Sequence, residues 1–393
     1  MIASHSFNQL PLEICRSQKE GRAVLTQFPM RTVRRYYRPE LDVVRFLAFL
    51  FIFLRHFVPL VVSQDPGAIC LAFIKACGFG VGLFFTLSAF LICELLLRER
   101  EATGTVAVKK FYIRRIFRIW PLYYFALALG FLLILPYGHA KDFVPMGWFA
   151  IFLGAWYCTK YGVVAGVAGP LWSVSVEEQF YLLAPWVIKH IARRFLYGFC
   201  LAVILAANLC IFMFPGGSWY NPIAQFEYFS AGMLLSLILN GRLPRISFLP
   251  RLALLAGCCS CWFFAFYGMD EQPGHWQAME IIALGVLGSV LAIVAFLGMS
   301  PRMFPAWSTY LGRISYGLYV YHLYPAVLVV SFLNQSTLHA IKTSPASLLR
   351  AALVIGACLG GTIVIAALSY QFLETPFLRM KKRYTVIESQ PIQ

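Results

Sequence analysis

LDVVRFLAFLFIFLRHFVPLVV, residues 41–62, is long enough to cross a bilayer as a helix and still carries Arg45, Arg55 and His56. An ionisable side chain at the bilayer centre is costly, roughly 2.5–3.5 kcal/mol for Arg by insertion scales. Packing among so many apolar neighbours does not call for it. Arg45 and His56 are eleven residues apart, close to three whole turns of a 3.6-residue helix. They therefore share one face, about 16 Å apart along the axis. With Arg45 at one rim of a core about 30 Å thick, His56 falls near the midplane. Arg55 points to a different side. The competing reading, in which Arg45 snorkels to the headgroups and His56 fills a satisfied buried position, suits either residue alone better than the pair.

Composition agrees with a membrane chain. Of 393 residues, 60% are hydrophobic and 13% charged, with a mean hydropathy of +0.71. These values indicate an all-α polytopic membrane protein, not a soluble enzyme with one anchor. The eleven cysteines are odd in number, fall mostly inside apolar runs and lack ligand-type spacing. No disulfide framework, zinc site or other metal cluster is expected. Residues 1–40 lack the apolar core of a signal peptide, so the first run is expected to be a retained span. Met30 stands just before a basic arm, RTVRRYYRPELD, and is the expected biological start. The expected organisation is a basic cytoplasmic arm at 1–40, one membrane domain at 41–380 and a short tail at 381–393.

Ten apolar runs are long enough to span: 41–62, 79–97, 120–138, 172–189, 195–214, 222–240, 252–268, 278–299, 308–333 and 348–373. An eleventh, 146–158, is short for a crossing. If it does not cross, 25 Lys and Arg fall on one side of the membrane and five on the other, with three inside spans. If it does cross, the Lys189–Arg194 cluster moves to the outer side. The positive-inside rule therefore predicts about ten transmembrane helices with both termini cytoplasmic, and 146–158 re-entrant or interfacial. The net charge of +16 is then juxtamembrane, where anionic lipid and topology account for it, and nucleic acid is not an expected partner.

Three further stretches carry polar groups where they are expensive. In GPLWSVSVEEQFYLLAP, 169–185, the fourth span opens with Ser173, Ser175, Glu177, Glu178 and Gln179. Counting inward from Leu171 puts Glu177 about 9 Å deep, and counting back from Val62 puts His56 at a similar depth. A carboxylate beside an imidazole fixes its tautomer and raises its basicity, as a general base for a hydroxyl requires. Adjacent residues diverge by about 100°, so one of Glu177 and Glu178 faces His56, with a slight preference for Glu177. A helix-start acid held by the macrodipole explains one Glu comfortably and two poorly. In KKFYIRRIFRIWPLYY, 109–124, Arg115 and Arg118 lie one turn apart and suit a bidentate phosphate clamp, or equally lipid headgroups. In GRISYGLYVYHLYP, 312–325, His322 is either a second polar wall of a cavity or a hydrogen-bonded packing residue.

Taken together, the chain resembles the acyltransferase-3 family of integral membrane O-acyltransferases. The carrying motifs are the Arg45–His56 pair, GVGLFFTLSAFLI at 80–92, FYIRRIFRIWPLYY at 111–124, LWSVSVEEQFYLL at 171–183, LGRISYGLYVYH at 311–322 and SYQFLETPFLR at 369–379. The resemblance implies acyl-CoA, most simply acetyl-CoA, as co-substrate from the cytoplasmic side and a hydroxyl acceptor on a cell-surface or lipid-linked sugar. It implies importance for Arg45, His56, Arg115, Arg118 and a Glu of the SVEEQF stretch. It also implies a bacterial inner membrane. Gly82 and Ala89 depart from the family pattern, which often has Asp and usually Gly there.

The expected mechanism holds the donor phosphates on Arg45, Arg115 and Arg118. His56, supported by Glu177 or Glu178, deprotonates the acceptor as it attacks the thioester. Ser173, Gln179 and His322 are candidate cavity residues, 146–170 a candidate lid, and no permanently bound cofactor is expected. The alternatives are acylation of a small-molecule or antibiotic hydroxyl and, from a different class, a transporter or flippase. Against the last stands the lack of internal repeats.

Overall fold

The computed structural model describes residues 36–61, 67–134, 140–164, 166–268, 273–332 and 347–387. Met30 and most of the basic arm lie outside them. Among the described residues every regular element is helical. The order is α1 (Pro39–Val61), α2 (Gly67–Ala76), α3 (Gly80–Thr103), α4 (Val108–Ile134), α5 (Ala140–Ala150), α6 (Gly154–Tyr161), α7 (Leu171–His190) and α8 (Arg193–Met213). It continues with α9 (Pro222–Leu239), α10 (Phe248–Phe264), α11 (His275–Phe296), α12 (Ala306–Arg313), α13 (Ser315–Tyr321), α14 (Leu323–Phe332) and α15 (Ser347–Ser369). A π-helical turn at Tyr370–Glu374 then leads into α16 (Thr375–Lys381).

Six helical stretches among the described residues are long and apolar enough to cross a membrane, and α10 is a shorter apolar helix. On α8 the exposed Leu201, Leu205 and Leu209 form an outward stripe, while Cys200, Ala207 and Ile211 are buried. Such an apolar exterior suits lipid rather than water, and the protein is a multi-pass membrane protein. The run at 308–333, expected as one span, is divided among α12, α13 and α14. The run at 146–158 is broken between α5 and α6, where Phe152 adopts a φ of 57°.

The helix α3 is the pillar of the bundle. It meets α9 along a seam of small residues, where a Cβ on Gly232 would stand 2.9 Å from that of Ala89 and would strike the Thr86 carbonyl. Close backbone approach of this kind is how helices associate when lipid competes with apolar side chains. The ring of Tyr228 fills the space beside Gly82 and leaves no room for a Cβ there. Both departures from the family pattern therefore lie on this one seam.

Hydrogen bonds between helix ends gather the start of α1 with the ends of α3, α7, α9 and α11. Arg100 donates to the carbonyls of Ile188 and Ile191 at the end of α7. Arg251 donates to Ile246, Ala295 and Leu297, closing the last turn of α11. Arg193 bridges Glu101 (2.8 Å) and Asn240 (2.5 Å), and the Gly298 amide donates to Glu40 (3.4 Å). Cations at helix C-termini satisfy carbonyls that have no partner within the helix. This is the basic end of the bundle. At the opposite end, Asn221 caps α9 through the Ile223 amide at 2.9 Å, and His275 donates to the Phe212 carbonyl.

Gly232→Leu should force α3 and α9 apart and lower stability by about 1–3 kcal/mol or more, the usual scale of overpacking. A fall in Tm of the detergent-solubilised protein, partly recovered by adding Ala89→Gly, is the expected result.

Candidate functional site

The cations at the basic end divide into two groups. Arg98 pairs with Glu94 (2.6 Å), Arg114 with Glu99 (3.1 Å) and Arg193 with Glu101 (2.8 Å), while Arg100 and Arg251 cap helices. These are structural. A second group surrounds a cavity of about 190 Å³: Arg38, Arg45, Arg115, Arg118, Arg313, Arg379, Lys381 and Lys382, against the carboxylates of Asp42, Glu177 and Glu374. The candidates Arg45, Arg115 and Arg118 are thus brought together on one cavity. Arg45 is ion-paired with Asp42 at 2.5 Å. The Arg115 guanidinium lies 5.4 Å from the Phe111 ring centroid and 5.1 Å from that of Tyr181, a cation–π arrangement that steadies it without a carboxylate.

From this rim the cavity follows α3 from Leu95 back to Val81, about 21 Å at 1.5 Å per residue. Its inner end is bounded by Val81, Phe84, Phe85, Ser173 and Tyr319. There Ser173 Oγ and the Tyr319 hydroxyl are 2.6 Å apart, and the Tyr319 hydroxyl donates to the Pro170 carbonyl at 2.7 Å. Phe84 lies edge-on to Tyr319, with ring centroids 6.0 Å apart.

Immediately beyond Tyr319 stand the two histidines. The rings of Tyr319 and His322 are 5.7 Å apart, and those of His322 and His56 are 4.9 Å apart. His322 is fully buried and His56 is exposed. His322 Nδ1 lies 2.5 Å from the Tyr319 carbonyl, which only an N–H can satisfy, so its Nε2 is a bare lone pair. That lone pair is 3.3 Å from His56 Nδ1, which also faces the Ile52 carbonyl at 2.9 Å. Two acceptors around one nitrogen assign the proton to His56 Nδ1 and leave His56 Nε2 unprotonated. The geometry therefore favours the His56 tautomer whose Nε2 carries the free lone pair.

The ring partner of His56 is His322, not a carboxylate. Glu177 lines the cavity, but its Oε1 accepts from Ser88 Oγ (2.5 Å) and from the Tyr181 hydroxyl. Glu178 turns away and accepts from Trp120 Nε1 at 3.2 Å. The divergence of adjacent helical residues explains why one faces in and the other out. Gln179 is outside the cavity; its Nε2 donates to the Phe152 carbonyl at 3.1 Å and pins the α5–α6 break. Ser173 is where the sequence suggested, at the cavity wall.

Sequence reasoning missed Arg38, Arg379, Lys381 and Lys382, which were counted as topology determinants, Arg313, which was counted within a span, and also Tyr319 and Glu374. The signal was present in SYQFLETPFLR: its π turn swings Glu374 and Arg379 onto the cavity. Thr375 Oγ1 holds that turn by donating to the Tyr370 carbonyl at 2.7 Å. Such turns inside helices often mark functional positions.

The site is thus a charged cavity inside an apolar bundle, closed at its inner end by Tyr319 with a pair of imidazoles beyond. The chain belongs to the acyltransferase-3 family, whose model, described as "Acyltransferase domain", matches residues 38–370. It is 26% identical over 384 residues to the peptidoglycan O-acetyltransferase OatA of Listeria monocytogenes, covering 88% of this chain and 57% of that protein. It is 26% identical over 339 residues to the O-acetyltransferase OatA of Staphylococcus aureus strain NCTC 8325, covering 76% and 52%. A putative O-acetyltransferase of S. aureus strain COL is 25% identical over the same length and coverage. The chain spans about half the length of these curated relatives. No solved structure matches it significantly.

Ser88→Ala removes one of the two hydroxyl donors to Glu177 Oε1. A loss of about 1–3 kcal/mol is expected, typical of hydrogen bonds to an acidic group. It is read as a lower Tm, with a smaller further loss for Tyr181→Phe in the same background than alone if the two donors are coupled.

Proposed function

We propose that this protein is a membrane O-acyltransferase that moves an acyl group, most simply acetyl, from acyl-CoA to a hydroxyl of a cell-surface or lipid-linked sugar. The observation that carries the reading is the cavity that begins among eight cations and ends one ring away from the His322–His56 pair. Acyl-CoA has the matching charge distribution: phosphates at one end and a slender, uncharged arm bearing the thioester. Guanidiniums are suited to the phosphates, which they bind bidentately. Glu177, with lone pairs still available, would accept an amide N–H of the arm.

In the reaction, His56 Nε2 takes the proton of the acceptor hydroxyl as its oxygen attacks the thioester carbonyl. The C–O bond forms, the C–S bond breaks, and the proton passes from His56 to the departing thiolate. His322 Nε2 and the Ile52 carbonyl hold Nδ1–H throughout, so the transient imidazolium keeps its acceptors. No acyl-enzyme is invoked, since neither Ser173 nor Ser175 sits in a nucleophile elbow. We further propose ten crossings with both termini cytoplasmic in a bacterial inner membrane, which would put the basic rim in the compartment that supplies acyl-CoA.

His56→Ala should lower transfer from radiolabelled acyl-CoA by about 10²–10⁴-fold, the usual contribution of a general base, in protein whose Tm is retained. Full turnover in folded His56→Ala would remove the role given to it. Arg115→Gln and Arg118→Gln should each raise KM for acyl-CoA by about 10–100-fold, the equivalent of about 1.5–3 kcal/mol per charged hydrogen bond. The same variants should respond less with a donor fragment that lacks the nucleotide phosphates.

A further inference from the structure

Arg55 is left over from both groups of cations. It precedes His56 on α1, at the end of the bundle away from the basic rim, and its side chain is exposed. Among the described residues no carboxylate is ion-paired with it. An arginine in a membrane-embedded helix that has no carboxylate partner among the described residues and no place on the basic rim is itself a candidate for ligand binding.

The connection between α8 and α9 supplies its surroundings. Trp219 and Arg55 converge over Gly78: a Cβ there would lie 3.1 Å from Trp219 Cζ2 and 3.9 Å from Arg55 Cδ. A glycine at 78 therefore lets the indole and the arginine stem close on one another. Tyr220 follows Trp219 in the same connection. Both rings are part-exposed and both are held in place. Trp219 packs against Phe79 (5.6 Å) and Phe266 (6.3 Å), and Tyr220 stands edge-on to Trp172 at 5.1 Å. The backbone beneath them is fixed by Gln225, whose Nε2 donates to the Trp219 carbonyl at 2.8 Å.

We propose that Arg55, with the rings of Trp219 and Tyr220, forms the acceptor subsite beside His56, and that it takes a pyranose bearing an anionic oxygen group, carboxylate or phosphate. This rests on the acyltransferase reading and deepens it. Aromatic faces accept the apolar face of a sugar ring, and a guanidinium binds an anionic oxygen pair bidentately. Arg55 and His56 are neighbours on the helix, diverging by about 100°, so one sugar can place a charged substituent on the first and a hydroxyl on the second. The arrangement also has an electrostatic consequence. When His56 takes the acceptor's proton, two adjacent cations result, and the substrate's own anion offsets their repulsion.

The test is equilibrium binding by calorimetry to the full chain in nanodiscs, independent of any acyl transfer. The probes are methyl glucuronide, glucose 1-phosphate and neutral methyl glucoside. Wild type should bind at least one anionic probe at least tenfold more tightly than the neutral one, and the stronger of the two identifies the anion as carboxylate or phosphate. Arg55→Gln should abolish that preference while leaving the weak neutral binding in place, and Arg55→Lys should retain part of it. Trp219→Ala should weaken all sugars alike. Retained Tm in each variant excludes misfolding as the cause. Absence of binding, no preference for anionic probes in wild type, or a preference that survives Arg55→Gln overturns the proposal. Failure of the acyltransferase reading would appear separately, as the absence of acyl-CoA turnover in wild type.

Discussion

A bare nitrogen lone pair inside a helical bundle persists only where every neighbouring donor and acceptor already has a partner. Around His56 that condition is met by a chain of three groups: the Tyr319 carbonyl holds the proton of His322 Nδ1, the His322 lone pair faces His56 Nδ1, and the Ile52 carbonyl shares that second proton. Two of the three anchors are backbone carbonyls. The boundary between α13 and α14 falls at His322 itself, whose Nδ1 meets the Tyr319 carbonyl three residues earlier.

The arginines show how the same residue type answers different local needs. At the ends of α7 and α11, Arg100 and Arg251 are spent on free carbonyls. Arg98 and Arg114 meet carboxylates within α3. On the cavity Arg45 keeps a carboxylate, Asp42 at 2.5 Å, while Arg115 lies between aromatic rings and Arg38 5.0 Å from the centroid of Tyr36. Rings steady a guanidinium while leaving its N–H donors for a ligand. A carboxylate in the same place would use them up. What covers an arginine, and not its depth, thus decides how many of its donors stay free, a distinction that separates Arg115 from Arg98 and Arg114.

That distinction limits what could be read from the chain. The helical class was legible in hydropathy, and the Arg45–His56 stripe in spacing, because both follow from helix periodicity alone. Glu177, expected beside His56, lines the cavity and accepts from Ser88 and Tyr181 instead, while the 100° step turns Glu178 away to Trp120. The partnership of His56 with His322 was not legible, because 266 positions separate them and a carboxylate at matching depth offered a simpler local story. Lys381 and Lys382 were counted as loop charges because nothing in their spacing announces the π turn that redirects the chain just before them. The division at 308–333 was hidden by apolarity, which continues unbroken through the breaks.

Tyr319 ties the two halves of the site together in a way that permits motion. Its hydroxyl closes the inner end of the cavity through Pro170 and Ser173, while its carbonyl fixes His322. In the transfer proposed above, an acyl group passing from the cavity toward His56 would displace the phenol, at the expense of those two hydrogen bonds. The carbonyl belongs to the backbone and stays where it is when the side chain turns. The phenol can therefore turn aside without disturbing the hydrogen bonds that hold the His322 and His56 rings. Because the closing element and the tautomer anchor are opposite ends of one residue, the cavity can be sealed at rest without a separate lid.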